Sequence, residues 1–379
     1  AESIDAILDL IDLKRKGKLK KVIVYGCLAQ RYKDKLREEM PEVDAFIGKT
    51  SLNHSLGRFR LTPKHYAYLK ICEGCINNCS YCVIPRIKGE FTSLDIDSIL
   101  GKIEKLNKSK VSEVNIIGQD ITGYGLDLYG STKLPELLKK IIKKSPNIGW
   151  LRLLYLNPVR ISDELLDLIK NEPRVCKYID LPLQHINDRI LKLMHRQTTK
   201  QEILRIIDKI RKKIPDIAIR TSVIVGFPSE TERDFKQLLD FIDDVRFERL
   251  GAFVYSREEG TKAYNFKEQI HPGVKRERFN TLMMQQQRIS QDVNKGFLGR
   301  TIDILIDEKE EGFYGDLSRV EAPLYNRKGD VYLGRSQYDA PEVDGMVYVD
   351  SKKTLNPGDF IKVEITDTLE YDLAGKALT

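Results

Sequence analysis

Cys75-Ile76-Asn77-Asn78-Cys79-Ser80-Tyr81-Cys82 follows closely on an apolar, strand-like run, Tyr66–Ile71, in a chain of 379 residues. The three cysteines are spaced CxxxCxxC. Thiolates bind iron strongly, and a compact loop can wrap one 4Fe–4S cubane with three of them. That leaves one iron without a protein ligand and open to a small chelating molecule. A zinc site would want four ligands in two pairs, for which Cys72 is an available fourth. A four-cysteine electron-transfer cluster uses other spacings. A disulfide framework spreads its cysteines, whereas four of the six here crowd into Cys72–Cys82, with Cys27 and Cys176 apart.

Working outward, short apolar runs alternate with helical patterns. The strands expected are Tyr66–Ile71, Val114–Gly118, Trp150–Leu156, Tyr178–Leu183, Ala218–Val225 and Leu250–Val254. Between them, Leu, Ile and Phe recur at spacings of three and four over Ile96–Leu106, Leu134–Lys143, Asp163–Lys170, Lys200–Lys213 and Thr231–Asp244. Ser162 and Thr231 stand at N-cap positions. Six strands with intervening helices predict an α/β fold whose parallel sheet curls into a barrel or part of one, with functional groups at the C-terminal strand ends. Upstream, a strand over Lys21–Gly26 and a helix over Arg31–Glu39 read as the end of a smaller α/β domain, followed by a linker at His54–Pro63. Downstream, a long polar helix over Val274–Leu298 gives way to period-two strands at Thr301–Ile306, Gly345–Val349 and Phe360–Thr366, as in a small all-β barrel. The domains expected are 1–57, 58–299 and 300–379.

No apolar run is long enough to span a membrane, and no secretion signal is visible, so a cytoplasmic location is expected. The net charge of +7 is uneven. Residues 300–379 hold 10 basic and 17 acidic side chains, a balance of −7, leaving +14 on residues 1–299.

The triplet, with an aromatic before its last cysteine, resembles the radical S-adenosylmethionine (SAM) superfamily, and more finely its methylthiotransferases, which implies a partial six-unit, TIM-like β/α barrel core. The resemblance runs through Gly26-Cys27-Leu28, Glu73-Gly74-Cys75, Cys82-Val83-Ile84-Pro85, Gly118-Gln119-Asp120 and Leu181-Pro182-Leu183-Gln184-His185. It continues in Met194-His195-Arg196, Arg220-Thr221-Ser222 and Gly226-Phe227-Pro228, and ends in a module like the OB-like TRAM barrel. It implies that Cys75, Cys79 and Cys82 hold a 4Fe–4S cluster that binds SAM and cleaves it to a 5′-deoxyadenosyl radical. It also implies a second, auxiliary 4Fe–4S cluster, of whose three cysteines Cys27 matches the third. The other two would lie before Ala1, so a truncated N-terminal domain supporting one cluster is expected. SAM contacts are expected from Tyr81, Gln119, Asp120, Arg220 and Gly226, and a substrate pocket at Gln184 and His185. Each has a plainer reading: a loop turn for Gln119 and Asp120, barrel ion pairing for Arg220, core packing for His185 and Tyr81. Departures from the family pattern stand at Ile186-Asn187, Ser229, Thr92-Ser93-Leu94 and an insertion between Gly312 and Tyr332.

Two substrates compete. RNA binding would favour a basic accessory module, because phosphate contacts dominate affinity. An acidic one favours a basic protein. The run Gly334–Gly345 also resembles the signature of the branch that methylthiolates the β-carbon of an aspartate in small-subunit ribosomal protein S twelve. That protein is the expected partner, with a reductase or flavodoxin-type electron donor, a sulfur donor and no membrane. The alternatives are methylthiolation of a tRNA adenosine and a non-catalytic iron–sulfur module docking on ribosomes.

Overall fold

The computed structural model describes residues 2–48, 62–310 and 330–378. The linker expected around His54–Pro63 and the insertion after Gly312 fall almost wholly outside them. Six parallel strands form the central body: β1 Tyr66–Lys70, β2 Glu113–Ile117, β3 Trp150–Leu153, β4 Tyr178–Asp180, β5 Ala218–Val225 and β6 Arg249–Val254. They pair as β1-β2-β3 and β6-β5-β4. A bridge between Leu151 and Val175, and a bond from the Leu156 N–H to the Asp180 carbonyl (2.9 Å), join the halves. Among the described residues β1 and β6 do not pair, so the barrel is partial.

Alternation of side chains along each strand sets the layers. Ala67, Leu69, Val114, Ile116, Leu151, Leu153, Ile179 and Ile219 face outward into one core with the helices. Helix Leu134–Lys144 contributes Leu134, Leu137, Leu138 and Ile141 to it, and helix Lys200–Lys213 contributes Ile203, Ile207 and Ile210. Ser162 caps as expected, its Oγ accepting from the Leu165 N–H, and Thr231 forms a capping box with Asp234. The opposite strand faces line a polar lumen.

The C-terminal module is a closed five-stranded barrel: β7 Thr301–Lys309, β8 Asp330–Ser336, β9 Val347–Ser351, β10 Phe360–Thr368 and β11 Leu373–Ala377, in the order β7-β8-β9-β11-β10. Only the β9–β11 pairing is parallel. Irregularities at Ile306/Glu308 and Ile365/Asp367 let short strands curl closed. Sequence periodicity missed β8 and β11. The N-terminal part pairs Ile23–Tyr25 with Ala45–Ile47 beside helices Glu2–Arg15 and Cys27–Glu39, so the second helix starts four residues earlier than expected.

The small barrel plugs the N-terminal end of the large one. Arg335 pairs with Glu113 (2.7 Å) and Asp307 (2.7 Å), and Arg152, wholly buried, donates to Glu113 (2.8 Å) and to the Gln337 carbonyl (2.7 Å). Arg249 donates to Asp339 (2.7 Å), Tyr178 to Asp344 (2.6 Å), and Tyr66 to Glu342 (2.8 Å). Trp150 meets Phe360 edge-on at 4.9 Å. The Gly334–Gly345 run is therefore the barrel's floor. Of the acidic residues counted in this module, Asp339 and Asp344 are buried in these contacts, while Glu342 stays exposed beside Tyr66.

Candidate active site

The cysteine loop leaves the C-terminal end of β1, opposite the plug. A two-residue antiparallel pair, Cys72–Glu73 with Thr92–Ser93, closes its base. Gly74 then turns with φ +77°, where an added Cβ would stand 2.4 Å from the Glu90 carbonyl oxygen, so only glycine fits. The Cys82 N–H donates to the Cys79 carbonyl (3.2 Å), and Ser80 ties the loop to Leu193 (2.7 Å) and Met194 (3.0 Å). Cys75 Sγ accepts from the backbone N–H (3.4 Å) and the side-chain amide (3.3 Å) of Asn77. The Arg196 guanidinium lies 3.8 Å from Cys79 Sγ.

All three thiols are part-exposed and electrostatically coupled to one another. Burial above all, with Asp120 and Cys79 beside Cys75 and the other two thiols beside Cys82, pushes Cys75 and Cys82 upward against hydrogen bonds from Asn77 and Ile84 that lower them. Such a set becomes three thiolates when a strongly cationic group is bound. Cys72 does not join it. The thiol is buried beneath Gly118, 3.7 Å from the Asp120 carbonyl, and burial pushes it up to about 12. The four-ligand zinc reading therefore loses its fourth ligand. Among the described residues no three Cys, His, Asp or Glu side chains clasp a single ion. Three thiols around a loop, with Cys72 turned away, fit a cubane.

Beside the loop, Asp120, three residues beyond the end of β2, caps the short turn Ile121–Gly123 and is 2% exposed. Its Oδ2 accepts from Asn77 (2.7 Å) and from Arg160, and its Oδ1 from the Thr122 N–H (3.1 Å). Arg160, on the turn Pro158–Arg160 after β3, also donates to Asn77 Oδ1 (3.0 Å). Gln119 Oε1 and Arg160 Nε are buried without a partner. Unpaired buried polar atoms are costly, so this corner is built for a polar ligand. Asn77, Arg160 and Arg196 were not foreseen as site residues. Only the position of Arg160 just beyond a strand, and of Arg196 in Met194-His195-Arg196, could have signalled them.

The remaining expected residues lie elsewhere. Tyr81 packs behind the loop, edge-on to Phe227 at 6.4 Å. Gly226 has φ +70°, and its missing Cβ makes room for the Lys275 stem, 2.4 Å away. Arg220 sits partway down the lumen, its Nη1 donating to Asp180 (3.1 Å) and its Nε to Asp344 (3.3 Å). Gln184 is half-buried with φ +75°. His185 is 0% exposed, and burial pushes it down to about 3. Its Nδ1 accepts from the Asn187 N–H (2.9 Å), so the proton is on Nε2. The expected substrate-pocket role of His185 does not fit a neutral imidazole with no exposed surface.

Comparison with known proteins agrees with this arrangement. The model for the radical SAM superfamily matches residues 69–242, and that for the TRAM domain residues 320–378. A protein of Clostridioides difficile named ribosomal protein uS12 methylthiotransferase RimO is 44% identical over 403 residues, covering 100% of this chain and 87% of its own length. The chain belongs to the RimO family. A RimO of Geobacter sulfurreducens is 43% identical over 406 residues with the same coverage. Membership makes the chain a radical SAM methylthiotransferase, with the SAM and 4Fe–4S chemistry of that superfamily. Among the described residues no helix is long and apolar enough to cross a membrane.

Proposed function

We propose that this enzyme adds a methylthio group to the β-carbon of an aspartate in ribosomal protein uS12, the small-subunit protein S twelve. The observation that carries the reading is identity above 40%, spread over the whole chain, with relatives named for that substrate. Cys75, Cys79 and Cys82 would hold the SAM-binding cluster. When bound, that cluster supplies the electron that cleaves SAM to a 5′-deoxyadenosyl radical able to take hydrogen from an unactivated carbon. Asp120, fixed by Asn77 and Arg160, would offer a carboxylate acceptor for a SAM amino N–H, and Gln119 an unused acceptor. Arg196 offsets the charge on Cys79 and ties the loop to Pro182, its Nη2 donating to that carbonyl (2.7 Å). The apolar wall of Phe227, Tyr81 and Phe266 excludes water behind the loop.

Cys27 would be a ligand of the auxiliary cluster. The thiol is exposed at the start of its helix, and Arg31, one turn on, donates to Glu258 (2.7 Å) and the Glu259 carbonyl (2.8 Å) in the loop after β6. That places the helix at the barrel mouth. The division at 1–57, 58–299 and 300–379, a cytoplasmic setting, a flavodoxin-type or reductase electron donor and a separate sulfur donor belong to the same proposal. Mass spectrometry of uS12 and tRNA incubated side by side with reduced, cluster-loaded enzyme and SAM tests it. A gain of a methylthio group on uS12 alone is expected, and modified tRNA with unmodified uS12 would refute it.

A further inference from the structure

Tyr155 is an aromatic residue in the left-handed region, with φ +63°. Side chains other than glycine pay about 1–2 kcal/mol to sit there, and such strain persists only where surrounding bonds impose it. Three bonds do so here. The Tyr155 N–H donates to Asp180 Oδ2 (2.9 Å), its carbonyl accepts from Ile121 (3.1 Å), and the next N–H, of Leu156, donates to the Asp180 carbonyl (2.9 Å). The effect is on direction. Leu151, Leu153 and Leu156 pack outward with the helices, and regular alternation would send residue 155 the same way as Leu151 and Leu153. The left-handed turn breaks that alternation. Asp180 ties this turn to the lumen, its Oδ2 accepting from the Tyr155 N–H and its Oδ1 from Arg220 Nη1 (3.1 Å); burial first, and then the Asp180 carboxylate, raises the Tyr155 phenol. Yet the ring is not packed away, being 46% exposed.

Phe253, on the lumen-facing alternation of β6 with Arg249 and Gly251, is 56% exposed, its ring 3.9 Å from where a Cβ on Gly251 would be. Arg220, on the neighbouring strand β5, has its Nη1 and Nε committed to Asp180 and Asp344. Its Nη2 has no hydrogen-bond partner among the described residues and lies 3.7 Å from where a Cβ on Gly251 would be. Two carboxylates thus fix a guanidinium so that one donor edge faces open lumen.

We propose that Tyr155, Phe253 and Arg220 form the pocket that receives the substrate side chain. The rings flank a short chain, and the Arg220 Nη2 and Tyr155 hydroxyl donate to its oxygen-terminated end. This rests on the proposed function, because an aspartate side chain has that length and chemistry. It also moves Arg220 from a SAM contact to the substrate.

Tyr155→Gly separates the pocket from the fold, since glycine takes φ +63° freely while the ring is removed. With the cluster-loaded holoenzyme and purified uS12, KM should rise at least tenfold while the thermal midpoint stays within about 2 °C of wild type or higher. Arg220→Lys should raise KM similarly, because a lysine cannot reproduce the two-point fixing of a planar fork. An unchanged KM in Tyr155→Gly, or a midpoint lowered by several degrees, would overturn the inference. If wild type leaves uS12 unmodified, the proposed substrate fails by itself. The midpoint then decides: a stable glycine variant supports a tyrosine held in strain for a ligand, and a destabilised one shows a residue serving the fold.

Discussion

Arg335 is a buried tie between the two barrels, and its removal should loosen their docking. The guanidinium is 3% exposed and faces two carboxylates, Glu113 at 2.7 Å and Asp307 at 2.7 and 2.9 Å, with the Tyr66 ring 5.3 Å away. Removing one partner of a buried pair typically costs about 3–5 kcal/mol, because the remaining charge is stranded away from water. Here Glu113 keeps Arg152 and Asp307 keeps His65 (2.7 Å), which places Arg335→Ala near the lower end, about 3 kcal/mol. That is roughly a hundredfold shift in the docking equilibrium. Trp150, the single tryptophan of the chain, packs against Phe360 at this interface and is 7% exposed. Its fluorescence therefore reports undocking directly. In urea, the Arg335→Ala transition should move to lower concentration and begin with a red shift of Trp150. A curve superimposable on wild type would refute the view that this ion network holds the plug.

Gly74→Ala should lower iron bound per chain by more than half, measured by metal analysis after reconstitution, because the turn into Cys75 cannot keep its path against Glu90. Arg160→Ala should leave iron content intact but weaken SAM binding by roughly ten- to a hundredfold, read by equilibrium dialysis, since Asp120 loses its charged partner. Glu230 gives a pH signature. It is 2% exposed, and burial raises it to about 7 despite its ion pair with Arg278. A carboxyl raised in the fold contributes stability that is fully present below its unfolded value near 4.5 and is lost as pH rises through about 7. The swing is about 3 kcal/mol, and Glu230→Gln should flatten it in urea midpoints taken from pH 4.5 to 8.

How much of this was legible in the sequence follows from what each signal measures. The strands were readable because their outward residues pack against helices and leave a regular apolar pattern. The cysteine loop was readable because three ligands on one short loop need no distant partner. Arg220, expected as a SAM contact or else in a barrel ion pair, makes ion pairs with Asp180 and Asp344 and is the third residue of an eight-residue strand, below the mouth. His185 follows a strand and so looked like a mouth residue. Left-handed Gln184 reverses the chain direction there, and the imidazole ends in the core. The partners of Asp339 and Asp344 lie 90 and 166 residues away, at Arg249 and Tyr178, so counting charge along the chain took floor residues for an acidic surface. Arg160 and Asn77 matter through a shared contact with Asp120, which no local pattern encodes.

The most direct measurement of the central claim is SAM cleavage by the single variants Cys75→Ala, Cys79→Ala and Cys82→Ala alongside Cys72→Ala. Each protein is reconstituted with iron and sulfide, reduced, and assayed for 5′-deoxyadenosine. Loss of the product in all three loop variants, with Cys72→Ala retaining both the cluster absorbance and the product, is the predicted result. Retained cleavage in any loop variant, or loss in Cys72→Ala with its fold intact, would contradict the assignment of Cys75, Cys79 and Cys82 as the cluster's ligands.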